Sequence, residues 1–445
     1  MRKIIMALLV LTVGLTSCSD DDEPQHGYTP AAHATRTVLV YMSGENNLTV
    51  TSGTRFLNSD LTELIEGSKQ LGDNQRLLVF VDSLNSNSQQ ASNPYIIEVH
   101  GGKTYELYRF DKDFYASDPA YFKQILQWTV ENASADSYGL ILWGHAKGWL
   151  VESDTIASQS RQRRAYGVDT GEDQPASSGS RWLNIKQMAN LLQGLPKLEF
   201  LFTDCCNMMS AEVGYELRNA ANYLIGSPAE IPGNGAPYDR IVPQLFKQGS
   251  ELYRGIIDTY FNYYTEAYKN RYDLKGNSVP LAVIETKYME ELAQATHDVM
   301  EHFSEPYPAY PKYPNLTNDS ITFYFYEDAP VMFDMRAFVK TYAPADEFDR
   351  WDQTYRRAVP YFRQSLKWMT AYNYLELSFK TFKRDYTQNG CVSMFIPRYT
   401  ETYFTSPYRY NYTFRTYGWN RVMDWSRFGW DEDITYPYPS GSREQ

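Results

Sequence analysis

The chain has 445 residues, a formal net charge of −12 and 43% hydrophobic residues, enough for two or three domains or one large domain with additions. No basic cluster is long enough to suggest a nucleic-acid partner. Only four cysteines occur, Cys18, Cys205, Cys206 and Cys391. That is too few for a disulfide scaffold, so each needs its own explanation.

The amino terminus accounts for the first. Residues 1–17 have a basic start and an apolar stretch too short to span a bilayer, which reads as a signal peptide. Leu15-Thr-Ser-Cys18 resembles a bacterial lipobox, which implies lipidation of Cys18 after cleavage. Asp20, Asp21, Asp22 and Glu23 resemble the acidic tag of lipoproteins carried to the outer face of the outer membrane in Gram-negative bacteria. Loss of Arg2 and Lys3 takes the charge to −14. Residues 18–35 are expected to be a flexible tether.

Thr37 to Met42 is a near-continuous apolar run, expected as a strand buried on both faces. A helix follows over 57–71, capped by Ser59 or Asp60, and then a strand from Leu77 to Val81. This β-α-β unit predicts a parallel pair with a right-handed crossover. Tyr95–His100 and Tyr105–Phe110 flank Gly101-Gly102 and predict a hairpin projecting from the sheet. Asp118-Pro119 starts a helix that leads into the strand Tyr138 to Trp143. Residues 151–181 are polar and aperiodic, and a segment this long inside a compact unit is usually functional or mobile. A crossover helix with Ile185, Met188 and Leu192 precedes the apolar strand Phe200 to Thr203. Helix is expected from Met208 to Ala221, then strand at 223–226, helix at 251–268, strand at 280–284 and helix to about Phe303. Parallel strands alternating with helices predict an α/β fold, an αβα sandwich over residues 36–304. Prolines and tyrosines dominate residues 305–445, read as a carboxyl-terminal subdomain whose segment Gly390–Pro397 could return a strand to the main sheet.

Two strand ends carry chemistry. One delivers Asp204-Cys205-Cys206 and the other Gly144-His145-Ala146, at the edge where open α/β sheets bind ligands. A thiol attacks an amide only as thiolate, so it needs a base or an electropositive setting. Cys206 is expected at the amino terminus of the helix beginning near Met208, where the dipole favours negative charge. His145 can take the thiol proton and return it to the departing amine. Backbone N–H groups of Gly144, Ala146 and Cys206 are candidates for an oxyanion site.

Histidine precedes cysteine by 61 residues, near the caspase-type separation of about 50. Asp204-Cys-Cys206-Asn-Met208 with Glu212 resembles the D-A-C-L-M…E signature of clostripain-family cysteine peptidases, members of the caspase-like clan. Leu140-Ile-Leu-Trp-Gly-His145-Ala-Lys-Gly148-Trp149 resembles that family's H-G-x-G-W strand, and Tyr41 to Leu48 its Y-M-A-A-D-N-N-L segment. Ile231-Pro-Gly-Asn-Gly235 resembles the loop following its S-E-x-x-P-G. The resemblance runs in order from about residue 36 to 245 and implies a caspase-like fold and peptidase activity. It makes Cys206 the nucleophile, since Cys205 fills the alanine slot, and His145 its partner. It places Asp204 at the floor of a pocket for arginine or lysine, with Ser227, Glu230 and Asn234 as further substrate-binding positions. Family members cut themselves between the two catalytic stretches, which marks Arg161, Arg163 and Arg164 as self-cleavage positions.

The chain departs from the pattern at Ala146 for glycine, Glu45 for aspartate, and Asn234 where a second acid is expected. No metal is assigned and no cofactor is expected; clostripain is linked to calcium, but this sequence has no calcium-loop spacing. His26, His33, His100, His297 and His302 form no metal-ligand spacing. The expected partners are a polypeptide substrate and, through the lipid, a membrane. The alternative is a surface lipoprotein with the peptidase fold but little or no activity, binding polypeptide or glycan. Tyr408, Tyr410, Tyr412, Trp419 and Trp425 fit either such a surface or core packing.

Overall fold

Strand and helix periodicities alternate through the amino-terminal half, and the chain gathers them into one sheet covered on both faces. The computed structural model of the protein describes residues 28–49, 55–85, 90–149, 166–169, 181–267, 279–303, 321–327, 329–365, 368, 388–396 and 416–424. In chain order the elements are β1 (Ala34–Gly44), α1 (Phe56–Gly67), β2 (Gln75–Leu84), β3 (Ala91–His100), β4 (Lys103–Arg109), α2 (Pro119–Asn132), β5 (Ala135–Trp143), β6 (Tyr166–Asp169), β7 (Arg181–Leu183), α3 (Ile185–Leu192), β8 (Leu198–Asp204), α4 (Ala211–Glu216), β9 (Ala221–Gly226), α5 (Tyr238–Ile241), α6 (Gly249–Ala267), β10 (Leu281–Glu285), α7 (Met289–Met300), β11 (Phe323–Glu327), β12 (Ala329–Asp334), α8 (Met335–Tyr342), α9 (Ala345–Ala358), β13 (Tyr361–Arg363), β14 (Ser393–Met394) and α10 (Gly418–Met423). Among the described residues no helix is long and apolar enough to cross a membrane.

The main sheet runs β13-β10-β9-β8-β5-β1-β2-β3-β4. Its five central strands, from β9 to β2, are parallel. The two strands at each margin are antiparallel. The period of two along each strand divides the core into two layers. Leu39 and Tyr41 of β1 join an apolar cluster with Phe122 of α2, Met188 of α3 and Leu292 of α7. Val38, Val40 and Met42 join a second cluster with Leu64 of α1, Ile241 of α5 and Ile256 of α6. This is the expected αβα sandwich.

Local chemistry explains where elements begin. The Asp118 carboxylate accepts the Ala120 N–H at 2.8 Å with Pro119 in the first turn, so α2 starts as expected. Asn184 and Gln187 form a reciprocal capping box on α3. At α1 the expected caps fail. The helix starts at Phe56 after Arg55, and Asp60 lies inside it, almost fully buried.

Three further expectations are corrected. The hairpin β3–β4 does not project from the sheet; β3 pairs with β2 and extends it. Helix does not begin near Met208: Asn207 has φ +59°, and α4 starts after Ser210, whose hydroxyl caps Val213 N–H. A short 3-10 turn, Leu217–Asn219, ends it well before Ala221. The strand that returns to the main sheet is β13, not the 390–397 segment; β14 pairs instead with β12 in a small three-stranded sheet. Cys391 is buried, with φ +57°.

One buried ion pair fixes the β2–β3 margin. Arg76 donates through Nη2 at 2.8 Å and Nε at 3.1 Å to Glu98, which also accepts the Tyr28 hydroxyl at 2.7 Å. Removing one partner leaves an uncompensated buried charge. Arg76→Met is expected to lower unfolding free energy by about 3–5 kcal/mol in urea titration, with Arg76→Met/Glu98→Leu recovering most of that loss. Equal losses in the single and double variants would contradict it.

Candidate active site

Neighbouring parallel strands with matched register bring their carboxyl ends to the same level. β5 and β8 pair Leu142 with Thr203 and Trp143 with Asp204. Each chain then runs two more residues, to His145 and to Cys206. The two turns touch through backbone. A Cβ on Gly148, whose φ is +63°, would lie 2.3 Å from the Asn207 carbonyl oxygen. Only glycine permits that approach, so Gly148 sets how closely the two turns pack.

Each turn is held from several sides. On the histidine side, the His145 carbonyl accepts Gly167 N–H at 2.8 Å, and Ala146 bridges to Tyr166. The Ala146 methyl is buried in an apolar cluster. Gly144, at φ +142°, lies against the Ser43 carbonyl of β1. Trp149 closes the turn, its ring packed edge-on against Phe395 and Tyr417, and its carbonyl accepting the Tyr417 hydroxyl at 2.6 Å. On the cysteine side, Asn207 N–H donates to the Ala229 carbonyl and Met209 N–H to the Ser227 carbonyl, both at 3.0 Å. Ser393 N–H then donates to the Met209 carbonyl at 3.0 Å. Segments far apart in sequence therefore brace both turns. Trp419 is likewise core, whereas Tyr408, Tyr410, Tyr412 and Trp425 lie outside the described residues.

The two cysteines differ sharply. Cys205 points into the apolar cluster, 1% exposed, and burial pushes its thiol well above the ordinary range. Cys206 is partly exposed and accepts Ile231 N–H at Sγ, 3.5 Å away. Desolvation and then the Glu230 carboxylate push its thiol up to about 12, while Ile231 N–H and Lys147 pull the other way. Because α4 begins only at Ala211, the helix expected after Cys206 does not place its amino terminus there. The dipole invoked from sequence is absent, which agrees with a protonated resting thiol.

His145 is oriented by a residue that the sequence did not single out for that role. Its Nε2 lies 2.7 Å from Asn47 Oδ1 in the turn after β1. An amide oxygen accepts, so this contact selects the tautomer protonated at Nε2 and leaves Nδ1 as the basic nitrogen. Asn46 fixes that turn by donating from Nδ2 to the Ser43 and Val168 carbonyls.

The expected pocket residues fall into three settings. Asp204 is 3% exposed; it accepts Ala236 N–H at 3.0 Å, the Tyr238 hydroxyl at 2.8 Å and the Tyr260 hydroxyl at 3.3 Å. Burial lifts it to about 6 despite those donors. Asp60 stands beside it and accepts Trp143 Nε1–H at 2.6 Å. Burial, then the Asp204 charge, lifts Asp60 to about 9. A Cβ on Gly235 would meet both carboxylates, at 2.8 and 3.0 Å. A second acid thus does adjoin Asp204, supplied by α1 and not by position 234. Ser227 is buried and builds its own turn, exchanging hydrogen bonds with Ala229. Glu230 is half-buried beside Cys206, and burial lifts it to about 7. Asn234 is exposed on the Pro232–Gly235 turn. Cys18, Arg161, Arg163 and Arg164 lie outside the described residues.

Comparison with known proteins agrees with this geometry. The family model described as the clostripain family matches residues 40–434. A secreted C11 cysteine protease from Bacteroides thetaiotaomicron, solved with an irreversible peptide inhibitor, is 28% identical with a TM-score of 0.69, covering 88% of this chain and 99% of its own. An inactive zymogen C11 protease from Parabacteroides distasonis is 22% identical with a TM-score of 0.68, covering 89% and 99%. At that identity the second likeness speaks to fold alone. No curated protein matches the chain. With matched strand ends, abutting histidine and cysteine turns, and a family model spanning most of its length, the chain belongs to the clostripain family of cysteine peptidases.

Proposed function

We propose that the protein is an endopeptidase that cleaves after arginine or lysine, with Cys206 as nucleophile and His145 as general base. The observation that supports this reading is the backbone contact between the Gly148 and Asn207 turns, which follow the carboxyl ends of the adjacent strands β5 and β8. His145 Nδ1 takes the thiol proton, the thiolate adds to the carbonyl carbon, and the same proton passes to the amine as the C–N bond breaks. Water then attacks the thioester and frees Cys206. Backbone N–H groups of the Gly144–Ala146 turn and of Cys206 are the proposed oxyanion donors.

A basic P1 side chain also answers why the resting thiol is held protonated. Glu230 and Asp204 both raise the Cys206 pKa. A cation entering beside them offsets the field that opposes the thiolate. One unit charge at about 4 Å in a partly screened site is worth about 4 kcal/mol, enough to shift a pKa by roughly three. Asp204 accepts three hydrogen bonds of the roughly four that a carboxylate can take, leaving room for one more donor. Asp60, lifted to about 9, stands beside it as a protonated carboxyl and adds no charge at neutral pH. Selectivity and activation are thus one electrostatic event.

Without substrate, Cys206 alkylation by iodoacetamide is expected to be at least about tenfold slower at pH 8 than for a free thiol and to keep rising through pH 9–10. Glu230→Gln lowers the thiol pKa and speeds the reaction, while Asn47→Ala cuts kcat roughly tenfold or more with KM little changed. A rate that levels off below pH 8 would contradict the raised thiol.

A peptidyl acyloxymethyl ketone with arginine at P1 is expected to label wild type through Cys206 and to discriminate strongly against glutamine at P1. Asp204→Asn should erase most of that discrimination. Equal labelling by both reagents in wild type would defeat the basic-P1 reading and leave the peptidase reading standing.

We also retain self-cleavage after Arg161, Arg163 or Arg164 and lipidation of Cys18 in an outer-membrane lipoprotein, both supported by sequence alone. Purified wild type should resolve into two fragments and Cys206→Ala should not. Cys18→Ala should lose incorporation of an alkyne-bearing fatty acid in cells. Fragments in both proteins, or label retained in the variant, would count against these readings.

A further inference from the structure

We propose that Asp60 of α1 is a second specificity-determining acid of the P1 pocket, reading the arginine or lysine side chain together with Asp204. Its role rests on the basic-P1 reading of the same site.

The sheet face covered by α1, α5 and α6 brings the two acids together. Trp143 of β5 stands opposite Asp204 of β8, and its indole N–H donates to Asp60 Oδ2 at 2.6 Å. Gly235, at φ +58°, crosses both acids. A Cβ there would lie 2.8 Å from Asp204 Oδ2 and 3.0 Å from Asp60 Oδ2. The two oxygens therefore converge on one point, and Asp204 is only two residues from Cys206.

An acid is a costly choice at this place. Asp204 accepts three hydrogen bonds, whereas among the described residues Trp143 alone donates to Asp60. Asp60 is almost fully buried, and the titratable groups facing it are Asp204, Glu63 of its own helix and the Tyr238 phenol of α5. None of these is a cation. Asparagine would accept the same indole proton and could donate to Asp204, without the burden of a buried acid. The acid gains only when a cation enters.

Burial, then the Asp204 charge, hold Asp60 at about 9, so it is protonated at rest. A unit charge about 4 Å away in a partly screened site lowers the pH at which a carboxyl ionises by roughly three. Entry of a P1 guanidinium or ammonium thus ionises Asp60, and its proton leaves to solvent. The pocket gains its second negative charge only when a basic side chain occupies it. A neutral P1 side chain draws no such response.

The test uses the full chain carrying Cys206→Ala, titrated calorimetrically at pH 8 in phosphate and in Tris. The probes are a peptide amide ending in arginine and one ending in citrulline, its neutral isostere. At that pH Asp204, Glu63 and Glu230, lifted only to about 6, about 7 and about 7, are mostly ionised already. The buffer dependence of the binding heat should count about one proton released with arginine and none with citrulline. Adding Asp60→Asn should abolish that release, weaken the arginine peptide roughly 10- to 100-fold and leave the citrulline peptide unchanged. It should also leave the unfolding midpoint at pH 7 at or above the parent's, because a buried acid is removed. Arginine binding without proton release in the Cys206→Ala protein, or equal release after Asp60→Asn, would overturn the role of Asp60 and leave the basic-P1 reading intact. Equal affinity for the arginine and citrulline peptides would defeat that reading and this role with it.

Discussion

The site depends on one register. Parallel pairing of β5 with β8 sets Trp143 opposite Asp204, and everything placed at the carboxyl edge follows from that alignment. A shift by a single residue would send each side chain to the opposite face of the sheet. It would bury Asp204 among the wrong neighbours and part the Gly148 and Asn207 backbones. Both faces of the strands are packed, so the hydrophobic pattern fixes the register and the register fixes the chemistry.

Around that alignment the protein has gathered acidic side chains where its reaction needs a thiolate. Asp204, Asp60 and Glu230 all sit at or near the edge, and burial raises all three. With Lys147 the nearby cation acting on Cys206, the resting state favours the thiol. Such a site keeps its thiol in the protonated, less nucleophilic form at rest. The carboxyl-terminal half serves the same edge. Phe395 packs on Trp149, Phe395 N–H binds Glu212, and Ser393 ties down Met209, so distant chain braces both the histidine and the cysteine turns.

Much of this was legible in the sequence because it is local. Apolar runs gave the five parallel strands, Asp118-Pro119 gave the start of α2, and four ordered motifs gave the family. What escaped was long-range or conformational. Asn47 reaches His145 across 98 residues, and no periodicity links them. Asp60 reads as a helix cap in sequence, yet it faces Asp204 from inside α1. The helix after Cys206 was placed too early because Asn207 adopts a left-handed backbone and Ser210 caps instead. Strand β13, three residues long, carries too little pattern to be assigned to a sheet edge.

The most direct measurement is a crystal structure of the enzyme inactivated by a peptidyl ketone bearing arginine at P1. The mechanism requires a covalent bond from Cys206 Sγ, His145 Nδ1 within about 4 Å of that sulfur, and Nε2 still held by Asn47. An adduct on Cys205, or a His145 ring more than about 8 Å from the modified sulfur, would contradict it.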